Sequence, residues 1–309
     1  MLVTTNSTPI RLWNKSALIQ EGFLNQYPLA RVESNEELIS LWLQGKPAET
    51  IRAYRKDIDY FLAFIENKPL PRVTFNDFAA YRKALEEHVA SKNGADSTVA
   101  RRLLGVRSLF RFAHEDVRVL RENVTKPIKP PKPKDTRAER ILTEGQVLNM
   151  IGQEPDPRNK LLLRFLYETG CRISELTILK WRDLVELENG TAQVTFFGKG
   201  NKTRHVLLTP STWEELQIAL TSSTPDAPVF ISQWRRPLSE TRIREIVRAA
   251  AERVGINLKV SPHWLRHCHA THALHRQAPL VLVQETLGHA SVATTSRYLH
   301  SRPINSSSL

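Results

Sequence analysis

The sequence has few of the features that mark secreted, membrane or fibrous proteins. Its 309 residues include only two cysteines, Cys171 and Cys268, which excludes a disulfide scaffold and is typical of a reducing compartment. No apolar run approaches the roughly 20 residues of a membrane span, and residues 1–9 lack the basic and apolar regions of a secretory signal. The low glycine content excludes collagen-like sequences. These absences predict a cytoplasmic protein that does not act at a membrane.

Basic residues outnumber acidic ones by 44 to 32, so the net charge is +12. An excess of lysine and arginine favours a polyanionic partner, because these side chains neutralise phosphates and release counterions. The excess is densest between residues 124 and 140, which hold six basic, two acidic and four proline residues. Because proline at this density prevents a helix, the segment is interpreted as a linker. It is either a solvated spacer or a basic strap across a DNA backbone.

The length predicts two domains at about 150 residues each, and the linker divides the chain accordingly. The predicted parts are a flexible N-terminal segment (1–35), a helical domain (36–123), the linker (124–140) and a second domain (141–309). Helical spacing dominates the first domain, with apolar residues three or four apart from Ile51 to Ile65. Further helices are predicted at 76–88 and 97–114. The outer face of the last helix is predicted to carry Arg101, Arg102, Arg107 and Arg111.

The second half is predicted to be mainly helical with one small sheet. Thr143 and Gln146 have the spacing of a capping box, and Ser239 and Ser261 precede other helical patterns. The period changes to two between Gln193 and Leu208, where a Gly-Lys-Gly-Asn-Lys turn separates two apolar arms. This stretch predicts a β-hairpin with Lys199 and Lys202 at its tip.

Two short motifs pair an arginine with a second chemical group one helical turn away. Arg172 and Glu175 share a helix face, either as a surface ion pair or as a phosphate-binding arginine held by a carboxylate. His263 and Arg266 repeat this spacing, and they are either a solvated helix face or a site for a phosphate and its proton transfers.

The histidines near Arg266 also invite a metal hypothesis. His263 and His267 are four apart, but no glutamate follows the first histidine and no third ligand is evident. The sequence therefore predicts no metal site. Two arginines, two histidines, a lysine and Tyr298 together suit phosphoryl transfer without a metal.

At these residues the sequence resembles the tyrosine recombinase (phage integrase) family. The matching boxes follow in order along the chain: Gly170-x-Arg172-x-x-Glu175-Leu176, the hairpin lysine Lys199, His263-x-x-Arg266, Leu287-Gly288-His289 and Tyr298 nine residues later. Thr50, Tyr54, Asp57 and the helix from Ser97 to Phe112 resemble the family's core-binding domain. Two positions depart from the family pattern, Trp264 and Cys268, and neither removes a catalytic group.

The resemblance implies a mostly α fold: a small helical SAM-like core-binding domain, and a mixed, mainly helical catalytic domain with a small β-sheet. It implies that Tyr298 attacks a DNA phosphodiester to form a 3′-phosphotyrosine, and that Arg172 and Arg266 clamp the phosphate. It implies that His289 donates a hydrogen bond, that His263 is the base and that Lys199 is the acid. Glu175 would orient the arginines, and no cofactor would be needed.

The implied partners are double-stranded DNA and three further copies of the chain, forming a tetramer on two sites, with a second recombinase as an alternative. The layout is Xer-like, and integration, excision and dimer resolution stay open. A type IB topoisomerase and a catalytically silent DNA-binding protein are the competing hypotheses. Candidate DNA-binding residues are Arg101, Arg102, Arg107, Arg111, Lys126, Lys129, Lys132, Lys202, Arg242 and Arg244.

Overall fold

A computed structural model describes residues 12–25, 28–92, 95–132, 140–188, 190–198, 203–219, 224–289 and 291–298. The chain divides into two compact units, residues 1–134 and residues 135–309. In the described part of the chain, no helix is long and apolar enough to cross a membrane.

The first unit is helical. Its helices are α1 (Lys15–Gln20), α2 (Asn35–Leu43), α3 (Ala48–Phe64), α4 (Phe75–Ser91) and α5 (Asp96–Arg111), and α5 continues into a π-helical turn at Phe112–Asp116. The predicted helices at 76–88 and 97–114 correspond to α4 and α5. A capping box between Thr74 and Asp77 starts α4 and explains its first residue.

Aromatic rings form the centre of this unit. Phe61 lies edge-on to Tyr81, with ring centroids 4.9 Å apart, and contacts Phe78 and Phe110 at 6.2 Å. All four side chains are almost completely buried. Burial of rings of this size is worth several kcal/mol by the area rule of about 25 cal/mol per Å².

The described part of the N-terminal segment packs into this core, which corrects the prediction of a flexible segment. Trp13, Leu18, Leu24 and Val32 are buried there. The segment has no long apolar period because α1 is only six residues long and further contacts are isolated bridges, such as Leu24 to Leu120.

Residues 124–132, part of the linker that the sequence predicts, also lie along the first unit. Ile128 is buried, and its carbonyl accepts a hydrogen bond of 2.6 Å from Arg107. Arg82 donates to the carbonyl of Lys129. The lysines Lys126, Lys129 and Lys132 remain exposed. Lys134 and Arg137, at the other end of the linker, lie outside the described residues.

The arginines of α5 do not all lie on one outer face, contrary to the prediction. Arg101 and Arg111 are exposed, and Arg101 pairs with the buried Asp57. Arg102 is half-buried with its guanidinium 4.2 Å from the ring centre of Tyr60, and Arg107 is half-buried against residues 126–128. Long side chains can bend over neighbouring apolar surface, so helical position alone does not determine exposure.

In its described residues, the second unit combines eight α-helices with a three-stranded antiparallel sheet. The helices are α6 (Glu144–Gly152), α7 (Pro157–Thr169), α8 (Ile173–Ile178), α9 (Pro210–Ile218), α10 (Glu240–Arg253), α11 (Pro262–His275), α12 (Leu280–Leu287) and α13 (Val292–Thr295). A 3₁₀ turn at Ser296–Tyr298 follows α13. The strands are β1 (Leu184–Glu186), β2 (Ala192–Phe197) and β3 (Thr203–Leu208).

The hairpin prediction is confirmed, because β2 pairs with β3 from Ala192–Leu208 to Phe197–Thr203. The strand β1 was not predicted, since three residues are too short to show a period. The capping box at Thr143 and Gln146 is present, and Ser239 caps α10. Helices α7 and α11 pack against each other at the centre of the unit. Helix α12 and the 3₁₀ turn at Ser296–Tyr298 both contact α11.

Candidate active site

Arg172 lies in a sharp turn between two helices. Helix α7 ends at Gly170, whose φ of 55° is left-handed, and α8 begins at Ile173. A β-carbon at Gly170 would lie 2.9 Å from the ring of His269, so glycine is required both for the turn and for this close approach. Arg172 occupies the N-cap position, with its side chain 40% exposed.

Glu175 holds Arg172 in this position. The backbone N–H of Arg172 donates to one carboxylate oxygen at 2.7 Å, and its guanidinium donates to the other at 2.9 Å. The second terminal nitrogen of Arg172 donates to the carbonyl of Gly288 at 3.3 Å. These contacts fix the position of Arg172 relative to Glu175, the residue that the sequence predicts to orient the arginines.

A third arginine, Arg204 of β3, was not predicted as a site residue. Its guanidinium donates two hydrogen bonds of 2.7 Å to Glu175 and one, also of 2.7 Å, to the carbonyl of Thr286. It also lies over the ring of Phe196. Burial alone would raise the pKa of Glu175, but hydrogen bonds from Arg204 and Arg172 hold that pKa below its ordinary value. In the sequence, the only indication that Arg204 belongs to the site was its position on a predicted strand next to the lysine turn.

Arg266 joins the ends of two other helices. It projects from α11, is 3% exposed, and donates to the carbonyls of Gly170 and Leu287. Burial, together with the charges of Arg172 and Arg204, lowers the pKa of Arg266 to about 10. It therefore stays charged at neutral pH, and it is tied to both turns that carry the other site residues.

His289 follows the left-handed Gly288 that ends α12. Its Nδ1 lies 2.9 Å from the hydroxyl of Thr295. Burial and the nearby arginines, Arg266 first, lower the pKa of His289 to about 4, so the ring is neutral at pH 7. A neutral imidazole has one N–H donor to offer to an anion.

Tyr298 lies in the 3₁₀ turn after α13 and is 4% exposed. Its ring is stacked on that of His289, with centroids 6.2 Å apart and planes 9° from parallel. Its hydroxyl lies 2.6 Å from Nδ1 of His267. Tyr298 therefore lies beside His289, two residues after the Leu287 carbonyl that binds Arg266, and all three residues belong to one chain.

His263 lies one turn before His267 on α11. It is exposed, and the two rings lie edge to face, with centroids 4.2 Å apart and planes at 68°. Partial desolvation and the neighbouring arginines, Arg266 first, lower the pKa of His263. Sequence reasoning considered His267 only as a metal ligand and missed its contact with Tyr298.

Two further histidines of α11 bind backbone carbonyls. His269 donates from Nδ1 to the carbonyl of Tyr167 at 2.9 Å, and His272 donates from Nε2 to that of Leu142 at 3.0 Å. Within the described ranges, no group of three histidine, cysteine or acidic side chains could hold a metal ion.

The catalytic lysine predicted at Lys199, and its alternative Lys202, lie outside the described residues. Gly198 and Thr203, at the two ends of their turn, line a cleft of about 690 Å³ together with Arg172, Arg204 and His289. Strands β2 and β3 therefore bring both ends of the turn to the cleft that Arg172 lines.

Three arginines and one carboxylate give this site a net positive charge, which suits a phosphate anion. Arg172 and Arg204 share the carboxylate of Glu175, whereas Arg266 binds only carbonyls among the hydrogen bonds described for it. An arginine that is charged, held rigidly and not neutralised by its partners is suited to bind a phosphate through two hydrogen bonds.

Two family models match the chain. The model described as the phage integrase family matches residues 140–304, and that described as the phage integrase N-terminal SAM-like domain matches residues 38–116. The sequence is 34% identical over 278 residues to tyrosine recombinase XerD of Mycobacterium tuberculosis, covering 82% of this chain and 88% of the relative. It is 33% identical over 273 residues to tyrosine recombinase XerC of Herpetosiphon aurantiacus, covering 83% and 86%.

Solved structures show the same fold. A lambda integrase dimer bound to a COC′ core site superposes with a TM-score of 0.71 at 20% identity, over 89% of this chain and 96% of the other. XerH site-specific recombinase bound to its difH substrate gives a TM-score of 0.64 at 24% identity, over 87% and 82%. Both agree with the mostly α fold with a small sheet that the sequence predicted.

Proposed function

Because the chain belongs to the phage integrase family of tyrosine recombinases, enzymes that cleave and rejoin DNA, we propose that it is a site-specific recombinase acting through a 3′-phosphotyrosine at Tyr298. One observation carries the proposal: Tyr298 lies against His289, whose turn also provides the carbonyls that hold Arg172 and Arg266. The nucleophile and both phosphate-binding arginines therefore come from a single unit of one chain.

In the proposed reaction, the oxygen of Tyr298 attacks the scissile phosphorus. The Oη–P bond forms, the bond from phosphorus to the 5′ oxygen breaks, and a free 5′-hydroxyl results. Arg172 and Arg266 neutralise the non-bridging oxygens, while His289 donates a further hydrogen bond. Lys199 protonates the leaving oxygen. The proton of Tyr298 passes to a histidine of α11, a role that the family resemblance assigns to His263.

The phosphotyrosine conserves the energy of the broken bond, so rejoining is the reverse reaction. Attack by the 5′-hydroxyl of a different strand would give recombination, which requires two DNA sites. We therefore include in the proposal a tetramer on two duplexes, made of this chain alone or with a second recombinase. The relatives named XerC and XerD support a site-specific reaction of this kind.

DNA contacts outside the active site are assigned to exposed basic residues. In the first unit these are Arg101, Arg111, Lys126, Lys129 and Lys132. In the second unit, Arg242 and Arg244 of α10 are exposed but pair with glutamates of the same helix. Surface pairs of this kind are weak, so these arginines can exchange their partners for phosphates.

The test is trapping of the covalent intermediate. The purified protein is incubated with sheared genomic DNA of the source organism in EDTA and quenched in SDS. Protein attached to DNA is expected for the wild type and absent for Tyr298→Phe, while both proteins bind DNA. Tyr167→Phe is the matched control, because it removes a hydroxyl of the same unit that contacts His272 and Glu144 instead.

An adduct that persists in Tyr298→Phe would reject the assignment of the nucleophile. DNA binding without an adduct in the wild type would favour a protein that only binds. Relaxation of supercoiled plasmid by the wild type, without exchange of strands between two sites, would favour a topoisomerase.

A further inference from the structure

We infer that His267, and not His263, is the residue that takes the proton from Tyr298 when the tyrosine attacks DNA. The inference rests on the proposed function, because it names the proton acceptor of that same reaction. The observation that carries it is the 2.6 Å contact between the Tyr298 hydroxyl and Nδ1 of His267. A general base must lie within about 2.6–3.2 Å of the proton that it removes.

Burial makes this contact strong. Tyr298 is 4% exposed and His267 5% exposed, so bulk water is largely kept from both groups. Tyr298 also belongs to a buried cluster with Ala270, Val283 and Leu287. A hydrogen bond in such a low-dielectric environment is stronger than in water, and it holds the hydroxyl in one orientation.

The other two histidines of the site, His289 and His263, make different contacts. The ring of His289 lies nearly parallel to the tyrosine ring, with centroids 6.2 Å apart, and its Nδ1 lies beside Thr295. His263 is exposed and lies edge-to-face with His267, 4.2 Å away. Its lowered pKa keeps His263 neutral near pH 7, so it adds no positive charge beside the ring that accepts the proton.

The proton balance of the step is then complete. The hydroxyl proton of Tyr298 moves to Nδ1 of His267 and gives an imidazolium as the Oη–P bond forms. The leaving 5′ oxygen takes its proton from Lys199. In the rejoining direction, His267 returns its proton to the tyrosine oxygen as that oxygen leaves phosphorus. His263 is left to face solvent and, with DNA bound, the phosphate.

The test compares three substitutions on one helix. His267→Asn places an amide where Nδ1 lies, so it keeps a hydrogen bond to Tyr298 but cannot take up a proton. His267→Ala removes both functions. His263→Asn is the matched variant one turn away. The rate of covalent adduct formation is measured with sheared genomic DNA of the source organism, and circular dichroism checks that each variant is folded.

General base catalysis contributes about 10²–10⁴-fold, so His267→Asn and His267→Ala are both expected to slow adduct formation at least about 100-fold. His263→Asn is expected to slow it less. A wild-type rate for His267→Asn would overturn the inference, because positioning alone would then suffice. A larger loss for His263→Asn than for both His267 variants would also overturn it.

A measurement on the protein alone separates this inference from the proposed function. With ¹⁵N-labelled histidine, the Nδ1 resonance of His267 is expected to shift between the wild type and Tyr298→Phe. No shift would overturn the inference whatever the activity. A shift in a protein that forms no adduct would reject the proposed function and the catalytic step, while the contact itself would stand.

Discussion

Arg204 and Glu175 form a buried ion pair with two hydrogen bonds of 2.7 Å, and this pair supports Arg172. The side chains are 9% and 5% exposed. Since Arg172 binds the same carboxylate, strand β3, which carries Arg204, is connected through Glu175 to Arg172.

Replacing Arg204 is expected to destabilise the second unit. Arg204→Met leaves the carboxylate of Glu175 buried with one arginine partner, and we expect the free energy of unfolding to fall by about 3 kcal/mol or more. Urea denaturation followed by circular dichroism measures this change.

The matched control for that substitution is Arg242→Met. Arg242 pairs with Glu245 at 3.0 Å, but both side chains are more than half exposed. An exposed pair contributes about 0–1 kcal/mol, so little change is expected. Equal effects of the two substitutions would show that burial of the Arg204 pair has no energetic consequence.

Gly170→Ala is expected to destabilise the turn before Arg172. The residue has a φ of 55°, and its β-carbon would lie 2.9 Å from His269 and 3.0 Å from Leu287. We expect a loss of more than about 1 kcal/mol in the free energy of unfolding, together with slower adduct formation, because both Arg172 and Arg266 depend on this turn.

Gly145→Ala provides the comparison for a glycine without such constraints. Gly145 lies in α6, and no atom lies within 4 Å of its added β-carbon. Alanine there is expected to be neutral or to stabilise by up to about 1 kcal/mol, because of its helix propensity. Thermal or urea unfolding measures the stability of both variants. If Gly170→Ala is as stable as Gly145→Ala, the proposed constraint on Gly170 is wrong.

Stability is expected to fall as the pH drops from about 6.5 to about 4. Burial lowers the pKa of His269 from 6.5 to about 4, so in this range the unfolded chain binds a proton that the folded chain does not. The free energy of unfolding therefore decreases with falling pH, by at most about 1.4 kcal/mol per pH unit for one histidine. His289 acts in the same direction.

Below the histidine range, the carboxylate of Glu175 takes over. Its pKa lies below the ordinary 4.5, so its contribution to stability is present above that pH and is lost as the pH falls further.

Urea unfolding at pH 7.5, 6 and 5 tests the contribution of the histidines. His269→Gln, or His289→Asn if the first does not fold, should flatten the slope, and an unchanged slope in both would contradict the argument.

Helices and the hairpin were predictable because their signals are local. The 3.6-residue period gave α3, α4 and α5 within a few residues, and the two-residue period gave β2 and β3. The short strand β1 carries no period of its own. The packing of Trp13 and Leu18 into the first unit was missed for a similar reason, since isolated contacts leave no repeating pattern.

Motif spacing also predicted site residues that follow a family pattern. These include Arg172, Arg266, His289 and Tyr298, which the structure places near one another. It could not identify Arg204 as the partner of Glu175, because these residues are 29 positions apart in the sequence. Nor could it decide which histidine of α11 meets the tyrosine.

By itself, the sequence therefore determined the fold class, the family and the order of the catalytic boxes, because periodicity and motif spacing are properties of neighbouring residues. Only the tertiary structure decided which of those residues touch. His263 and His267 differ by a single helical turn, and the packing of the segment around Tyr298 against α11 selects His267. Burial and contacts between distant segments arise when helices pack, and they set the charge state and orientation of each group.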